Sequence, residues 1–281
     1  MRKISVLSSS VVVIVLGLCM SACISSYKFS HTEEKDFQVP AAGIATVDAQ
    51  ATNGNIDVIA SDTQEIKVHV VKVVRALTQE KADEYGPQVV VHVEAQGDTL
   101  KIFCEEPKGI KQIEVDVAYA ITCPPAVAIH LLTTNGSANV VGMEQSVSAQ
   151  STNGNIDLQR CKGAVNLRTT NGNISAKMTA LEKEADCLTT NGDVQVEVET
   201  GAAPIRALST NGSVTIVLPP DFSGQLDAVT TNGSVSSEFE VTTEKRSDTC
   251  LRGSVGQGGD VNVKAITTNG NVTIRKRVPG V

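Results

Sequence analysis

The tripeptide Thr-Asn-Gly occurs eight times after residue 40, and this repeat limits the possible folds of the chain more than any other feature. Successive asparagines of the repeat lie 82, 18, 18, 20, 20, 21 and 37 residues apart. Most intervals are thus near 20 residues, while 37 and 82 are close to two and four such units. A fixed period of this size indicates stacked units, none of which can bury its apolar face alone. The asparagines are Asn53, Asn135, Asn153, Asn171, Asn191, Asn211, Asn232 and Asn269.

The residues around each copy predict one strand on either side of the motif. Three and five positions after the asparagine stand mostly branched apolar residues, as in Ile156 and Leu158. Before it, alternate positions run from branched to small, as in Val165, Leu167 and Thr169. Asn-Gly suits a corner between strands, because glycine accepts a positive φ and asparagine tolerates the left-handed region. One copy would predict a hairpin, but the constant spacing predicts an all-β, single-domain β-solenoid with one corner per coil.

Stacking would place each motif asparagine above the next at about 4.8 Å, where side-chain amides can hydrogen-bond along the stack. We interpret this column as structural, because a corner must satisfy its own polar groups. The functional alternative is a linear binding strip for a polymer. Aromatic residues make up only 3% of the chain, which agrees with two sheets held close together by small inward side chains.

The long first interval predicts an elaborated first turn of the same sheet system. Helix formers follow a Thr78 cap as far as Tyr85, and they predict one short helix that covers an exposed end of the solenoid. A second interruption, residues 238–260, has the pattern of a charged hairpin before a glycine-rich loop. We treat residues 40–281 as one domain. The longer strands predicted in the first interruption are Ile66–Arg75, Gln88–Ala95, Thr99–Cys104 and Ile113–Thr122.

Residues 1–22 have the three parts of a secretory signal peptide. Two basic residues precede an apolar stretch, Val11–Leu18, which is shorter than the roughly 20 residues of a membrane-spanning helix. The tetrapeptide Met-Ser-Ala-Cys at residues 20–23 then resembles the lipobox of bacterial lipoproteins. This resemblance implies that Cys23 becomes the lipidated first residue of the mature protein. An ordinary signal peptide with a chance cysteine is the alternative.

The residues after Cys23 bear on the destination of such a protein. Ile24 rather than an aspartate follows the cysteine, which favours the outer membrane for the lipid anchor. Residues 23–39 are polar and aperiodic, so we expect a tether between the lipid and the fold. Removing residues 1–22 leaves 22 basic and 31 acidic residues, a charge of −9. The lipid, rather than attraction to anionic headgroups, must therefore provide the anchor.

Three features occur together in this chain. The first is the recurring Thr-Asn-Gly followed by Ile or Val. The second is Leu-Pro-Pro-Asp-Phe-Ser-Gly-Gln-Leu-Asp-Ala at residues 218–228, and the third is Leu-Arg-Gly-Ser-Val-Gly-Gln-Gly-Gly at residues 251–259. The set resembles the bacterial "putative adhesin" family of β-strand-repeat envelope proteins, a domain of unknown function, over most of residues 40–275. The resemblance implies a β-solenoid-like envelope protein, and it supplies no catalytic residues.

The polar residues form no recognisable catalytic or metal centre. Asp57, Asp157 and Asp193 lie near corners but in different registers, so they do not form the acid pair that glycosidases require. His69 and His92 lie in strands and can approach each other on one exposed face, which is too few ligands for zinc. The net charge of −7 argues against a nucleic-acid partner. We predict no catalytic residue, no metal and no cofactor.

Five cysteines follow Cys23, and in an oxidising envelope an even subset of them can be bridged. Cys104 with Cys123 is the first candidate for a disulfide. Cys187 takes an inward position held elsewhere by alanine or leucine, which indicates a small core residue. The sequence leaves open the pairing among Cys104, Cys123, Cys161, Cys187 and Cys250.

These observations predict a lipid-anchored protein of the bacterial envelope, at the outer membrane, that acts as a non-catalytic adhesin-like binding protein or structural scaffold. Its partners would be the membrane, through the lipid on Cys23, and a surface or polymer ligand that the sequence does not identify. One alternative is a periplasmic envelope-stress or assembly factor without an external ligand. A less favoured alternative is a polysaccharide-active enzyme.

Overall fold

Two facing β-sheets make up most of the protein in a computed structural model of the chain. The structure describes residues 27–107, 109 and 112–278. The predicted signal peptide, residues 1–22, and the predicted lipid attachment site at Cys23 lie outside the described residues. Within the described part of the chain, no helix is both long and apolar enough to cross a membrane.

The prediction of an all-β solenoid, elaborated at its N-terminal part by longer strands and one short helix, is confirmed. The helix α1 spans Gln79–Tyr85 and continues into a 3-10 turn at Gly86–Gln88. In chain order the strands are β1 (Phe29–Pro40), β2 (Thr46–Asn53), β3 (Ile56–Ala60), β4 (Glu65–Ala76), β5 (Val90–Gln96), β6 (Thr99–Glu105), β7 (Ile113–Cys123), β8 (Ala128–Asn135), β9 (Ala138–Val141), β10 (Val147–Asn153), β11 (Ile156–Cys161), β12 (Val165–Asn171), β13 (Ile174–Ala180), β14 (Ala185–Asn191), β15 (Val194–Thr200), β16 (Ile205–Asn211), β17 (Val214–Leu218), β18 (Gly224–Asn232), β19 (Val235–Ser237), β20 (Val241–Ser247), β21 (Cys250–Val255), β22 (Asn262–Asn269) and β23 (Val272–Lys276).

Each regular coil consists of one strand of sheet B, a Thr-Asn-Gly corner and one strand of sheet A. Sheet A has the order β1-β4-β7-β3-β9-β11-β13-β15-β17-β23-β19. Sheet B has the order β20-β21-β18-β22-β16-β14-β12-β10-β8-β2-β6-β5. Neighbouring coils pair in parallel and in register, as Asn153 with Asn171 in sheet B and Ile156 with Ile174 in sheet A. Antiparallel pairs occur only towards the ends of the described sheets.

The core is a thin apolar layer between the two sheets. Inward residues on both sides of the corner, such as Leu167, Ile156 and Leu158, are fully buried. The inward position four residues before the motif asparagine is alanine in five of the eight coils, which lets the sheets approach closely. The largest buried rings lie away from the regular coils, with Tyr119 in β7 and Phe239 beyond β19.

Every corner glycine lies directly against the glycine of a neighbouring coil. A Cβ added to Gly154 would lie 1.9 Å from the carbonyl oxygen of Gly136, and one added to Gly172 would lie 2.1 Å from that of Gly154. The obstacle is backbone that pairs with the next coil, so it cannot move aside as a flexible side chain would. Close approach between coils therefore requires glycine at the corner, and a positive φ is required in addition at some copies, such as Gly192.

The corner asparagines do not adopt the left-handed conformation that the sequence predicts for them. Among the described residues, Arg160 is the only non-glycine residue with a positive φ, at 55°. Each motif asparagine instead ends a strand of sheet B, as Asn153 ends β10. The glycine and the residue after it make the turn, so the asparagine is needed for its side chain.

The predicted tether is wrong for residues 29–39, because they form β1 at the edge of sheet A. β1 pairs antiparallel with β4 along its whole length, from Phe29 opposite Ala76 to Pro40 opposite Glu65. Its polar composition hides the strand pattern, since much of its length lies exposed at the sheet edge. The fold therefore starts only a few residues after Cys23.

A buried ion pair fixes this edge strand to its neighbour. The Lys72 side chain is only 4% exposed, and its Nζ lies 2.6 Å from the Glu33 carboxylate of β1. Lys72 also donates hydrogen bonds to the carbonyls of Gly86, at 3.0 Å, and Val89, at 2.7 Å. Burial opposes ionisation of Glu33, but hydrogen bonds from Lys35 and Lys72 outweigh it, so the pKa of Glu33 lies below its ordinary value.

The last coil in the sequence is not the last coil in the stack. β22 and β23, which carry Asn269, lie between the coil of β16 and β17 and the coil of β18 and β19. The interval of 37 residues before Asn269 thus contains the hairpin of β20 and β21 rather than a further coil. The interval of 82 residues separates two coils that are direct neighbours, since Asn53 pairs with Asn135.

Arg277, which follows β23, fastens the inserted coil to the rest of the stack. Its backbone N–H donates to the Leu218 carbonyl at 2.8 Å. Its guanidinium reaches past β17 to two carboxylates of β15, Glu197 at 3.6 Å and Glu199 at 3.2 Å. The inserted coil is therefore fastened to the stack by a residue near the end of the described chain.

We expect Gly172→Ala to destabilise the protein by about 3 kcal/mol, because the new methyl group would collide with backbone of the next coil. Urea unfolding followed by circular dichroism measures the loss. Gly97→Asn is the matched control, since a Cβ there meets nothing within 4 Å and asparagine tolerates the φ of +66°. Equal destabilisation in the two variants would contradict the steric explanation.

The Glu33–Lys72 pair predicts a loss of stability in acid. The pKa of Glu33 is lower in the folded than in the unfolded chain, so its contribution is complete above the ordinary value of 4.5 and is lost as the pH falls through the folded value. Glu33→Gln leaves Lys72 buried without its carboxylate, and we expect a loss of about 2 kcal/mol near neutral pH. The same unfolding measurement, repeated from about pH 3 to pH 7, should show a flatter acid dependence for this variant. Glu34→Gln, on the exposed side of β1, should behave as wild type, and an unchanged acid dependence in Glu33→Gln would refute the assignment.

Candidate functional site

The eight motif asparagines form one continuous hydrogen-bonded column, which we call the asparagine ladder. Each Nδ2 donates to the Oδ1 of the neighbouring asparagine at 2.7–2.8 Å. The column starts at Asn53, whose Nδ2 donates to the Val115 carbonyl at 2.9 Å. In stacking order the ladder is Asn53, Asn135, Asn153, Asn171, Asn191, Asn211, Asn269 and Asn232.

The asparagine ladder lies on the surface rather than in a buried corner. Every member except Asn53, which is half-buried, is exposed. Within the column each amide gives one N–H to one neighbour and accepts at its oxygen from the other. A second N–H per coil remains for water or a ligand. The main role of the ladder is therefore to join the coils, and its binding capacity is one donor per coil.

Two further ladders run beside the asparagines. Two residues before the asparagine, a buried hydroxyl donates to the corner glycine of the adjacent coil, as Thr169 does to the Gly154 carbonyl at 2.9 Å. Two residues after the asparagine, a polar side chain accepts a backbone N–H, as Asn173 does from Asp193 at 2.8 Å. The sequence analysis missed this last ladder, although Asn, Asp or Ser occupies the position in all eight copies.

The outer face of sheet B presents three rows of side chains along the stack. The threonine row, nearest the corners, contributes one exposed hydroxyl per coil. The apolar row lies two residues further from the corner, and the basic row two further again. The threonine row is Thr52, Thr134, Thr152, Thr170, Thr190, Thr210, Thr268 and Thr231; the apolar row is Leu188, Leu208, Ile266 and Val229; the basic row is Asp186, Arg206, Lys264, Asp227 and Arg252, with Arg168 beside it.

The apolar row is half-buried and occupies four consecutive coils at the C-terminal part of the stack. Two neighbouring coils have Gln150 and Arg168 at the same position, so the row has a polar boundary. A groove of about 610 Å³ runs along the apolar and threonine rows. It combines methyl groups and hydroxyls at a constant spacing.

The basic row contains two carboxylates, and arginines engage both of them. Asp186 lies 3.0 Å from Arg168 and 3.1 Å from Arg206. Asp227 lies 2.7 Å from Arg252. Together these residues and Lys264 have four basic and two acidic side chains, on a chain whose net charge is −7. A second groove, of about 500 Å³, runs beside this row.

The predicted approach of His69 and His92 is wrong, because the two residues lie on different sheets. His69 is in β4 of sheet A, where its Nδ1 lies 2.8 Å from the Asp36 carboxylate. His92 is in β5 of sheet B, where its ring stacks on Phe103 with the centroids 4.8 Å apart. Within the described residues, no group of three or more His, Cys, Asp or Glu side chains is placed to hold a metal ion.

The candidate disulfide between Cys104 and Cys123 is also wrong, since both cysteines are free. Cys104 lies near the corner end of β6, whereas Cys123 ends β7 at the opposite side of the coil. The other three cysteines of the described chain are unpaired as well. Cys187 is fully buried, and desolvation raises the pKa of its thiol to about 12, so it is an inert core residue.

The regular coils that carry these rows match a known protein family. The model described as Toastrack DUF4097 matches residues 126–205 and again residues 186–275, which together exceed half of the chain. The chain belongs to the Toastrack DUF4097 family. The matched range includes the apolar row, the basic row and seven of the eight members of the asparagine ladder, and omits only Asn53.

Three solved structures are similar to this Toastrack chain. A "putative adhesin" from Bacteroides fragilis has 15% identity and a TM-score of 0.45, covering 88% of this chain and 97% of that chain. A "putative adhesin" from Parabacteroides merdae has 12% identity and a TM-score of 0.40, covering 86% and 95%. A "putative cell adhesion protein" from Clostridium sporogenes has 12% identity and a TM-score of 0.33, covering 88% and 100%. A search of curated proteins finds no match.

The asparagine ladder predicts a graded effect of single substitutions. Asn171→Ala interrupts two ladder bonds and should cost about 1 kcal/mol, while Asn232→Ala, at the end of the column, interrupts one and should cost about half as much. Urea unfolding of the three proteins measures the difference. Thr170→Ala removes the exposed neighbour and should have no comparable effect. A loss in Asn171→Ala no larger than in Thr170→Ala would show that the ladder does not stabilise the fold.

Proposed function

We propose that this Toastrack chain is a lipid-anchored, non-catalytic scaffold of the bacterial envelope that binds an extended ligand through the outer face of sheet B. One observation carries the proposal: the three rows of that face repeat in register along the stack. The ladders at the corners hold the rows at a constant spacing. The threonine row offers the same weak contact once per coil, and many weak contacts to one long partner add up to firm attachment.

The carboxylates near the corners support a non-catalytic role, because they serve as structural acceptors. Asp57 accepts a hydrogen bond from Asn139 Nδ2 at 2.6 Å. Asp193 accepts the backbone N–H of Ser213 at 2.7 Å, within a ladder. Hydrolysis of a glycoside needs one carboxyl group that is free to donate a proton and a second one on the other side of the bond. Acids already bound into the stack do not meet that requirement.

The proposed anchor is the lipid on Cys23, at the end of a signal peptide of residues 1–22. The first strand begins at Phe29, so five residues lie between the start of the fold and the anchor, and the two positions are six residue steps apart. Six residues reach at most roughly 20 Å. The end of the stack formed by β1, β4 and β7 would thus stand near the membrane, and the coil of Asn232 would stand away from it. Ile24 supports the outer membrane as the location.

Metabolic labelling with palmitate tests the anchor. We expect the wild-type protein to incorporate the label and to sediment with membranes, because the lipid is its only proposed attachment. Cys23→Ser should lose the label and appear in the soluble fraction. Cys187→Ala is the control, because alanine occupies the same inward position in other coils. An unlabelled wild-type protein, or a Cys23→Ser variant that stays in the membrane, would overturn the anchor.

Surface labelling separates the adhesin-like role from a periplasmic one. Cells are treated with a membrane-impermeant amine reagent, before or after lysis, and the protein is then isolated. We expect modification on intact cells, since an adhesin-like scaffold must face its ligand. Modification only after lysis would contradict that role and would support an envelope-stress or assembly factor without an external ligand.

A further inference from the structure

The basic row contains a lysine without a carboxylate partner. Lys264 lies directly opposite Arg206 on the adjacent strand, and like charges in that position repel each other. Asp227, on its other side, is engaged by Arg252 at 2.7 Å. Among the described residues, no carboxylate lies within salt-bridge distance of Lys264. An anion placed over Lys264 would supply the missing counter-charge, with Arg206, which already engages Asp186 at 3.1 Å, beside it.

The groove beside the basic row also contains an unsatisfied acceptor. The Oδ1 atom of Asn166 is buried and has no hydrogen-bond partner in the described structure. Asn166 lines the same groove as Arg206 and Lys264, two and three strands further along the stack. A buried amide oxygen without a partner is costly. If the Asn166 side chain turned toward the groove that it lines, a ligand hydroxyl would supply the missing donor.

The apolar row lies alongside, on the corner side of the charged residues. Leu208 and Ile266 are two residues further along the strands that carry Arg206 and Lys264, so both pairs point to the same face. Sugar rings present apolar C–H faces as well as hydroxyls, and aliphatic side chains can pack against such faces. The groove of the basic row runs over five strands, which is roughly 19 Å along the stack.

We propose that this groove binds a linear acidic polysaccharide, lying along the stack with its carboxylates over Arg206 and Lys264. The ring faces rest against the apolar row, and a hydroxyl further along the polymer lies near Asn166, which continues the line of Asp186 and Arg206. The proposal rests on the proposed function in that it names the extended ligand of the same face. A neutral glycan would leave Lys264 without a counter-charge, and a purely ionic partner would not use the apolar row.

The test measures binding of polygalacturonate, a linear uronic acid polymer, to the full-length protein in detergent by calorimetry. We expect binding that weakens as the salt concentration rises from about 0.05 M to 0.3 M. Lys264→Gln and Arg206→Gln should each weaken it by about three- to tenfold. Fully methyl-esterified polygalacturonate, which has the same backbone without the charge, should bind much less well. Leu208→Gln should weaken binding of the acidic polymer as well.

Lys177→Gln is the matched control, because Lys177 is an exposed lysine on the outer face of sheet A. It should bind as wild type does. Thermal unfolding of Lys264→Gln should match that of wild type, which separates lost binding from lost folding. The proposal is overturned if polygalacturonate does not bind, if the esterified polymer binds equally well, or if Lys264→Gln binds as Lys177→Gln does. Stronger binding to phosphatidylglycerol vesicles than to the polymer would also overturn it.

Three measurements on the same samples distinguish a failure of polysaccharide binding from a failure of the proposed function. Release of reducing ends from the polymer would contradict the non-catalytic role while leaving binding established. Absence of palmitate on the wild-type protein would remove the anchor, and the binding result would stand. Loss of binding in a protein that is labelled with palmitate would remove the acidic polysaccharide alone.

Discussion

Backbone hydrogen bonds between parallel strands hold successive coils about 4.8 Å apart, and at that distance the corner has no space for a side chain. Glycine is therefore required at every corner, because an added Cβ would meet the carbonyl of the adjacent glycine or, at Gly54, the carbonyl of Val117. The same short distance lets each Asn amide reach the amide of the next coil and lets a buried Thr or Ser hydroxyl reach the glycine carbonyl. Small inward residues and the scarcity of rings follow from the same close packing, as the alanines before the motif show. The short distance between coils thus explains why Thr, Asn and Gly recur together at each corner.

The regular part of the fold was accessible from the sequence because one short motif determines a whole coil. The exceptions are places where the pattern depends on partners far away in the chain. The residues of β1 are polar and therefore predict a tether. Its pairing with β4 and the burial of Glu33 against Lys72 cannot be inferred from those residues alone. The sequence also does not predict that the coil of Asn269 lies between the coils of Asn211 and Asn232. The spacing of the motif along the chain gives no information about the order in which the coils stack. Likewise, the alternation of His69 and His92 along their strands does not show that these strands belong to opposite sheets.

The candidate site also has one part that the sequence predicts and another part that it does not. The asparagine ladder could be deduced because it uses identical residues at identical positions. The basic and apolar rows could not, because each coil contributes a different side chain and only the stacking order brings Arg206 beside Lys264. In chain order these two positions lie 58 residues apart, and three other strands of sheet B, β18, β20 and β21, intervene. The ladder that starts with the residue after the glycine was visible in principle, since Asn, Asp or Ser occurs there throughout.

Order of synthesis and order of stacking differ in this protein. A chain delivered with its N-terminus first presents β18 and β19 before the coil that separates them from β16 and β17 has arrived. Until then, the edges of both sheets stay open, and open edges attract other strands, chaperones and proteases. A product cut short before β22 would lack the strands that join these edges, whereas β22 and β23 pair with the coils on both sides and bring Arg277 into contact with Glu197 and Glu199. The inserted coil thereby makes the assembly of this end of the stack depend on residues near the end of the described chain.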